Sequence, residues 1–235
     1  MSVVAEARML WHLLRGVRRE GSHAQRLQQF YAPQAAGYDA FRERLLHGRR
    51  ELIERLPAGE GARVVELGGG TGRNLEFLGA RLAGFSSFEV VDLCPALLRV
   101  ARARVDRLAQ GGAGNVRLIQ GDATDYQPAG AADCVYFSYA LSMIPDWRRA
   151  LDNALVMLRP GGTLGVVDFH LPRRTGVSNR FWRAWFAHDG VWLSHEHLPV
   201  LKARLEPVYC DERRAPVPYL PGLRVPWYLF IGRKR

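Results

Sequence analysis

The sequence predicts an α/β fold in which a seven-stranded, mostly parallel sheet carries helices on both of its faces. From residue 63 to residue 169, five short apolar segments alternate with turns and with segments of helical periodicity. A proline-rich connection, residues 214–226, joins two further strand-like segments near the C-terminus. We therefore expect one α/β domain at residues 61–235, preceded by an N-terminal helical extension at residues 1–60.

Two helical stripes make up the N-terminal extension. The first ends near Gln29 and is Arg-rich and amphipathic, so that it suits either packing on the protein's own core or contact with a membrane. The second has apolar residues at helical spacing from Tyr38 to Leu56 and is closed by Pro57. Both stripes therefore predict helices ahead of the α/β region.

The α/β region repeats a short apolar strand followed by a helix or a turn. In chain order we expect strands at 63–67, 88–92, 116–119, 133–137 and 164–169, and helices at 74–82, 95–108 and 145–158. Pro95 suits the first turn of its helix, and Pro160 with the two glycines after it should stop the last one. A helical, aromatic-rich segment then leads to strands at 206–212 and 227–232, which complete the sheet.

Composition and charge restrict the possible partners. Hydrophobic residues make up 48% of the 235, which is typical of a packed domain and excludes wholesale disorder. The excess of ten basic residues lies entirely in 1–26 (+3) and 171–235 (+7), while 27–170 is neutral. Basic ends favour an anionic partner such as a membrane surface, an acidic substrate or nucleic acid. Three distant cysteines, and the absence of a long apolar run or a signal peptide, predict a reduced cytoplasmic protein.

A glycine-rich turn with the sequence ELGGGTG (residues 66–72) connects the first strand to its helix. Such a turn alone is weak support for ligand binding, and this one matches neither a dinucleotide GxGxxG nor a P-loop. Asp92 ends the next strand, 20 residues past the turn, where a carboxylate can accept both ribose hydroxyls of a nucleoside. Asp122 follows the third strand, so the acids and the turn should meet at one edge of the sheet.

The ordered motifs ELGGGTG, VDLCPALL, GDA, ADCVYFSYALSMI and LRPGGTL resemble those of the class I S-adenosylmethionine-dependent methyltransferases over residues 63–170. The resemblance implies a Rossmann-like methyltransferase fold with S-adenosylmethionine as the cofactor. It implies that the methionine part is held by Glu66, Gly68, Gly70, Gly72 and Ser138, and the adenosine part by Asp92, Leu93, Asp122 and Ala123. A Rossmann-like domain that binds no cofactor is the alternative.

Three residues are candidates for contact with the cofactor or the methyl acceptor at the reacting atoms. Tyr38 resembles the N-terminal aromatic residue that covers the cofactor in many such enzymes, although it also fits the first position of a core stripe. Tyr139 and His170 follow the fourth and fifth strands, from where they could orient an acceptor amine that must lose a proton. The sequence shows no metal-ligand cluster, so no metal is expected.

The acceptor is predicted from the ends of the chain. The segments YFSYALSMIPDW (136–147), WLSHEHLPVL (192–201) and PYLPGLRVPWYLFIGRK (218–234) resemble the methyltransferase component of betaine-lipid synthesis. That resemblance implies trimethylation of the amine of diacylglycerylhomoserine to a betaine lipid. It further implies peripheral contact with the inner face of an anionic membrane, and a possible partnership with the enzyme that makes diacylglycerylhomoserine.

Two other functions remain open at this level. The same fold could methylate a soluble small molecule or a quinone. A basic RNA-binding methyltransferase is the second alternative. The sequence shows no appended RNA-binding module, and the fourth strand is not followed by the Asn/Asp-Pro-Pro-Tyr motif of amino-specific nucleic acid methyltransferases. Nucleic acid is therefore not the expected partner.

Overall fold

The computed structural model describes residues 21–33, 39, 43–109, 114–172, 182, 185–186, 191–218 and 222–235. Predictions for residues 1–20 and for Tyr38 lie outside the described residues, as do residues 178–181, 183–184 and 187–190 of the helical segment predicted at 178–205. Within the described part of the N-terminal extension, two helices form, and both pack on the α/β region.

One seven-stranded sheet forms the centre of the molecule. Its strands are β1 (Arg63–Leu67), β2 (Ser87–Asp92), β3 (Val116–Gln120), β4 (Ala132–Ser138), β5 (Leu158–Phe169), β6 (Glu206–Pro216) and β7 (Arg224–Arg233). They lie in the order β3-β2-β1-β4-β5-β7-β6, and β7 runs antiparallel to both of its neighbours. The predicted seven-stranded, mostly parallel sheet is therefore confirmed.

Six α-helices are found among the described residues. They are α1 (His23–Tyr31), α2 (Arg49–Arg55), α3 (Asn74–Leu78), α4 (Pro95–Ala109), α5 (Trp147–Met157) and α6 (His197–Arg204). Short 3₁₀ turns follow α3 at Gly79–Gly84 and β4 at Leu141–Met143. None of the described helices is long and apolar enough to cross a bilayer.

Several boundaries differ from the sequence prediction, among them those of the C-terminal strands, which span 206–216 and 224–233 rather than 206–212 and 227–232. The helix predicted at 74–82 ends as an α-helix at Leu78 and continues as a 3₁₀ turn, because the glycine at position 79 is a poor helix former. β5 begins at Leu158 rather than at Leu164, so the Pro160 segment is part of the strand. The backbones of Gly162 and Lys234 explain this, since the Lys234 N–H donates to the Gly162 carbonyl at 2.8 Å and extends the pairing with the C-terminal strand.

The apolar core lies on both faces of the sheet, and α2 contributes to it directly. Leu52 and Ile53 of α2 are fully buried and join a cluster with the side chains of Val64 and Tyr136. On the other face, α5 and α6 cover the sheet through residues that include Leu151 and Leu201. Burial on both faces leaves the carboxyl ends of β1 to β4 as the open edge at which a ligand can enter.

Candidate cofactor site at the open edge of the sheet

A cavity of about 300 Å³ lies at the edge where β1, β2, β3 and β4 end. Residues from this edge line it together with side chains of α1 and the start of α2. The sequence-predicted site residues on its wall are Glu66, Gly68, Gly70, Asp92, Leu93, Asp122, Ala123, Ser138 and Tyr139. Residues that are far apart in the sequence therefore meet around one cavity.

Asp92 is bonded directly to the glycine turn. Its Oδ2 accepts the N–H of Gly70 at 2.8 Å, and its Oδ1 accepts the N–H of Cys94 at 2.8 Å. Gly70 has φ of +57°, which a side chain with a Cβ rarely adopts, so glycine lets this N–H turn toward the carboxylate. Burial raises the pKa of Asp92 to about 6 in spite of these two donors. The carboxylate can still accept hydroxyl donors from the cavity side.

Glu66 provides a second carboxylate deeper in the cavity. It is 1% exposed; its Oε1 accepts the amide of Asn74 at 2.7 Å, and its Oε2 has no hydrogen-bond partner among the described residues. Burial raises the pKa of Glu66 to about 7, although Tyr136, Asn74 and the nearby Arg49 favour its ionised form. A buried carboxylate oxygen without a partner is costly, so Glu66 is suited to accept a donor from a ligand.

Arg49 is a cavity residue that the sequence analysis missed. It is 9% exposed, and its Nε donates to Oδ1 of Asn74 at 3.2 Å, which links it through Asn74 to Glu66. It follows Gly48, whose φ is +78° and where an added Cβ would lie 2.3 Å from the Trp227 ring. The close contact with Trp227 fixes where α2 begins. A guanidinium on this wall, next to a carboxylate, suits the carboxylate and ammonium of an amino acid.

The first described helix, α1, covers the other end of the cavity. His23, Leu27 and Tyr31 of α1 line the cavity together with Leu93 and Asp122. Gln28 anchors the helix, because its Oε1 accepts the N–H of Ala96 at 3.1 Å and the thiol of Cys94 at 3.3 Å. Burial, and after it the charge of Arg26, lowers the pKa of His23. The N-terminal extension thus forms part of the wall around the expected adenine position.

Tyr139 and Ser138 end β4 at the cavity. Tyr139 has φ of +55°, its hydroxyl donates to the His47 carbonyl at 2.7 Å, and its ring meets Phe169 edge-on. Burial raises the pKa of Tyr139 well above its usual value, so its hydroxyl stays protonated and holds the turn before α2. Ser138 Oγ is buried without a hydrogen-bond partner among the described residues. The predicted role of Tyr139 beside the acceptor stays a prediction.

Two further predicted site residues do not line the cavity. His170 is 5% exposed, with Nε2 3.5 Å from the Glu212 carboxylate and its ring against Tyr228, and burial lowers its pKa. Gly72 lies behind the turn, where an added Cβ would be 3.4 Å from Ala101. Gly72 therefore permits close packing of the turn on α4, and a role of His170 near the acceptor stays a prediction.

The residues on the wall fit S-adenosylmethionine. Asp92 can accept ribose hydroxyls, Leu93 and Ala123 offer apolar contact to adenine, and Asp122 offers a carboxylate to its amino group. At the opposite end, the partnerless Glu66 Oε2 suits the methionine ammonium, and Arg49 suits its carboxylate. The two ends of the cavity thus match the two ends of this cofactor.

Comparison with known proteins identifies the family. Residues 24–204 match the family described as "Methyltransferase domain". The ubiquinone/menaquinone biosynthesis C-methyltransferase UbiE of Pseudomonas entomophila is 31% identical over 169 residues, which cover 69% of this chain and 65% of that protein. The chain thus spans less than two thirds of the length of this curated relative.

Two solved structures have the same fold. The N-methyltransferase NodS of Bradyrhizobium japonicum, solved with S-adenosyl-L-homocysteine, superposes with a TM-score of 0.66 at 19% identity, over 88% of this chain and 97% of that one. The [4+2]-cyclase SpnF superposes with a TM-score of 0.68 at 16% identity, over 93% and 98% of the two chains. The likeness shows the fold alone, and it is the sequence match that gives the family. The chain therefore belongs to the family of class I S-adenosylmethionine-dependent methyltransferases.

Proposed function

We propose that the protein transfers methyl groups from S-adenosylmethionine to the amine of a lipid headgroup, converting diacylglycerylhomoserine to its trimethyl betaine form. The use of S-adenosylmethionine as the methyl donor is supported by membership of the methyltransferase family. The lipid half is supported by the resemblance of residues 192–201 and 218–234 to the betaine-lipid enzymes. One feature beside the cavity supports an acceptor that stays in a bilayer, namely the exposed indole of Trp192.

Trp192 is 59% exposed, which is unusual for so large an apolar side chain. Its backbone N–H donates to the Ser142 carbonyl at 2.7 Å, in the turn that follows β4. The next residue of that turn, Met143, lines the cavity. Tryptophan favours the boundary between water and lipid, so an indole at this place suits an acceptor that stays in a bilayer while its headgroup enters the site.

The chemistry asks little of the protein beyond alignment. The cofactor supplies a methyl group on a sulfonium, which is already activated for displacement. A neutral amine nitrogen attacks the methyl carbon, the carbon–sulfur bond breaks, and its electron pair stays on sulfur. The amine nitrogen must lose one proton before each of the three transfers, and water can take these protons; the trimethylated product keeps its positive charge and has no N–H left. The protein holds the amine in line and excludes other nucleophiles.

A peripheral position at an anionic membrane belongs to the same proposal. The C-terminal segment 171–235 carries seven more basic than acidic residues, and 1–26 carries three more. Basic residues near an anionic surface contribute about 1 kcal/mol each. We also propose contact with the enzyme that makes diacylglycerylhomoserine, because the product of that enzyme is the acceptor of this one and contact would shorten its path.

A second candidate is methylation of a quinone ring carbon. The UbiE relatives, at 30–32% identity, are ubiquinone/menaquinone biosynthesis C-methyltransferases, which favours this candidate. A prenylated quinone is also an amphiphile in a bilayer, so Trp192 would serve either acceptor. The two candidates differ in the atom that is methylated and in the number of methyl groups added.

The deciding experiment offers the purified protein both acceptors in vesicles with S-adenosylmethionine and analyses the extracted lipids by mass. The lipid-amine proposal expects a gain of up to three methyl groups on diacylglycerylhomoserine and none on a demethylated quinone. Trp192→Ala should lower turnover of the bilayer acceptor but not of a soluble homoserine ether. Val156→Ala, which removes another exposed apolar side chain (69% exposed), is the matched control. Methylation of the quinone alone would overturn the proposal.

A further inference from the structure

Arg104 lies on α4 outside the cavity, and its guanidinium is nearly buried, with 8% of the side chain exposed. Its Nε donates to Oε1 of Glu76 at 2.6 Å, and its Nη2 donates to Oδ2 of Asp39 at 2.5 Å. Its Nη1 donates to the carbonyl oxygen of Thr71, in the glycine turn. One buried cation is thus shared between two carboxylates and a backbone carbonyl.

Thr71 completes this network from the side of the turn. Its hydroxyl donates to Oδ1 of Asp39 at 2.6 Å, so Asp39 receives one donor from Thr71 and one from Arg104. Thr71 itself lines the cavity and directly follows Gly70, whose N–H is bonded to Asp92. The Arg104 network and the Asp92 carboxylate therefore hold two consecutive residues of the same turn, Thr71 and Gly70.

Asp39 belongs to the N-terminal extension and directly follows Tyr38, the residue predicted to cover the cofactor. Its two bonds join the extension to the turn across more than thirty residues of sequence. A buried arginine that loses a partner leaves an uncompensated charge, which makes a network of this kind hold one geometry strongly. The bonds of Arg104 to Asp39 and Glu76 provide that compensation.

We propose that Arg104 and Asp39 are positioning residues for the cofactor. Arg104 fixes the peptide of Thr71, and Asp39 fastens the N-terminal extension to it, so that the N–H of Gly70 and the carboxylate of Asp92 are held in the geometry that the cofactor meets. Neither residue lines the cavity among the described residues, so the effect reaches the cofactor through the turn. The inference concerns cofactor binding and holds for either acceptor considered above.

Thr71→Val tests this with the least disturbance, because valine keeps the shape and removes only the hydroxyl. Asp39→Asn removes the charge that Arg104 and Thr71 share. Each change should raise the dissociation constant of S-adenosylhomocysteine about tenfold, equal to about 1.4 kcal/mol. For Asp39→Asn, which lies outside the cavity, kcat at saturating cofactor should stay unchanged. Thr71→Ser keeps the hydroxyl and should restore the wild-type affinity.

A double variant, Asp39→Asn with Thr71→Val, separates positioning from unrelated damage. If both act through one bond, the double variant should bind no worse than the poorer single variant. Arg102→Gln, which changes an exposed arginine of the same helix, is the control and should leave the affinity unchanged. Calorimetry with both S-adenosylmethionine and S-adenosylhomocysteine distinguishes charge from geometry, because only the first carries a sulfonium.

Three results would overturn the inference. The first is a lower melting temperature with unchanged affinity of the folded protein, which would make the network purely structural. The second is a loss of affinity for S-adenosylmethionine alone, which would be a charge effect of removing an acid. The third is full additivity in the double variant. If Asp39→Asn does not fold, Arg104→Lys takes its place, because it keeps the charge, loses part of the hydrogen bonding and lies outside the cavity; an unchanged affinity of that folded variant would overturn the inference.

Discussion

Protonation of Asp92 should weaken binding of any ligand that carries the cofactor's ribose. Burial raises the pKa of this carboxyl to about 6, and the Gly70 and Cys94 N–H groups already occupy one lone pair on each oxygen. Ribose hydroxyls donate, so they favour the ionised form. An acid with a raised pKa is ionised only above that value. Affinity should therefore be complete well above pH 6 and should fall as the pH drops through it.

The size of the effect follows from the bonds lost. A hydrogen bond to a charged group contributes about 1.5–3 kcal/mol, so losing one ribose hydroxyl's partner weakens binding by about 10- to 150-fold. Below the pKa, affinity should fall by up to about tenfold for each unit of pH. The assay is calorimetric titration with 5′-methylthioadenosine, which keeps the ribose and lacks the amino-acid part. Asp92→Asn should bind it weakly at every pH and without a step near pH 6.

Glu66 supplies the control because it titrates in the same cavity. Burial raises its pKa to about 7, and we expect its ionised form to pair with the methionine ammonium. S-adenosylhomocysteine should therefore lose affinity as the pH falls through 7 as well, and Glu66→Gln should remove that step only. Affinity of wild-type protein for 5′-methylthioadenosine that does not change from about pH 7 to about pH 5 would refute the reasoning. So would an Asp92→Asn variant that folds and binds normally.

Four further outcomes are expected. Gly70→Val should abolish cofactor binding in calorimetry, because a β-branched residue resists the φ of +57° and would fill the cavity. Gly48→Ala should lower the melting temperature through a loss of about 1–3 kcal/mol, since its Cβ would meet the Trp227 ring at 2.3 Å. Burial lowers the pKa of His197 to about 4, so this imidazole makes stability fall as the pH drops from about 6.5 toward 4, whereas the raised pKa values of Glu66 and Asp92 act in the opposite direction. In urea titrations the free energy of unfolding of His197→Phe, taken relative to that of the wild type, should therefore rise as the pH drops over this range. The fraction of protein that sediments with anionic vesicles should fall with added salt, because the Debye length falls from about 10 Å at 0.1 M to about 3 Å at 1 M. Equal binding to neutral vesicles would contradict the electrostatic account.

Most of the sheet could be predicted because its signals are local in the sequence. Short apolar runs bounded by glycine or by an acid define β1 to β4 within a residue or two of the observed ends. The start of β5 could not be predicted in the same way. Its first residues look like a Pro-Gly-Gly stop, and they become a strand through the pairing of Leu158 with Ala132 and of Gly161 and Gly162 with Lys234, more than 70 residues further on.

The residues of the candidate site also fall into two groups, those that a local sequence pattern marks and those that it does not. The glycine turn and Asp92 could be predicted because a turn between a strand and a helix, and an acid at the next strand end, have a fixed geometric relation in a parallel sheet. Arg49 gave no such signal, since it is one of 31 arginines in the chain and its place depends on Gly48 packing against Trp227. A residue positioned by a contact between distant segments has no local pattern that marks it.

Segments near both ends of the chain contact the residues that form the cavity. From the N-terminal side, Asp39 bonds Thr71 in the glycine turn, and α1 covers the expected adenine position. From the C-terminal side, the Trp227 ring packs under Gly48, and the Glu51 carboxylate of α2 receives the Arg213 guanidinium of β6. Both ends thus set the geometry of residues that line the cavity. We therefore expect substitutions far from the glycine turn, in the N-terminal extension or in β6 and β7, to change cofactor affinity before they change the reaction at the acceptor.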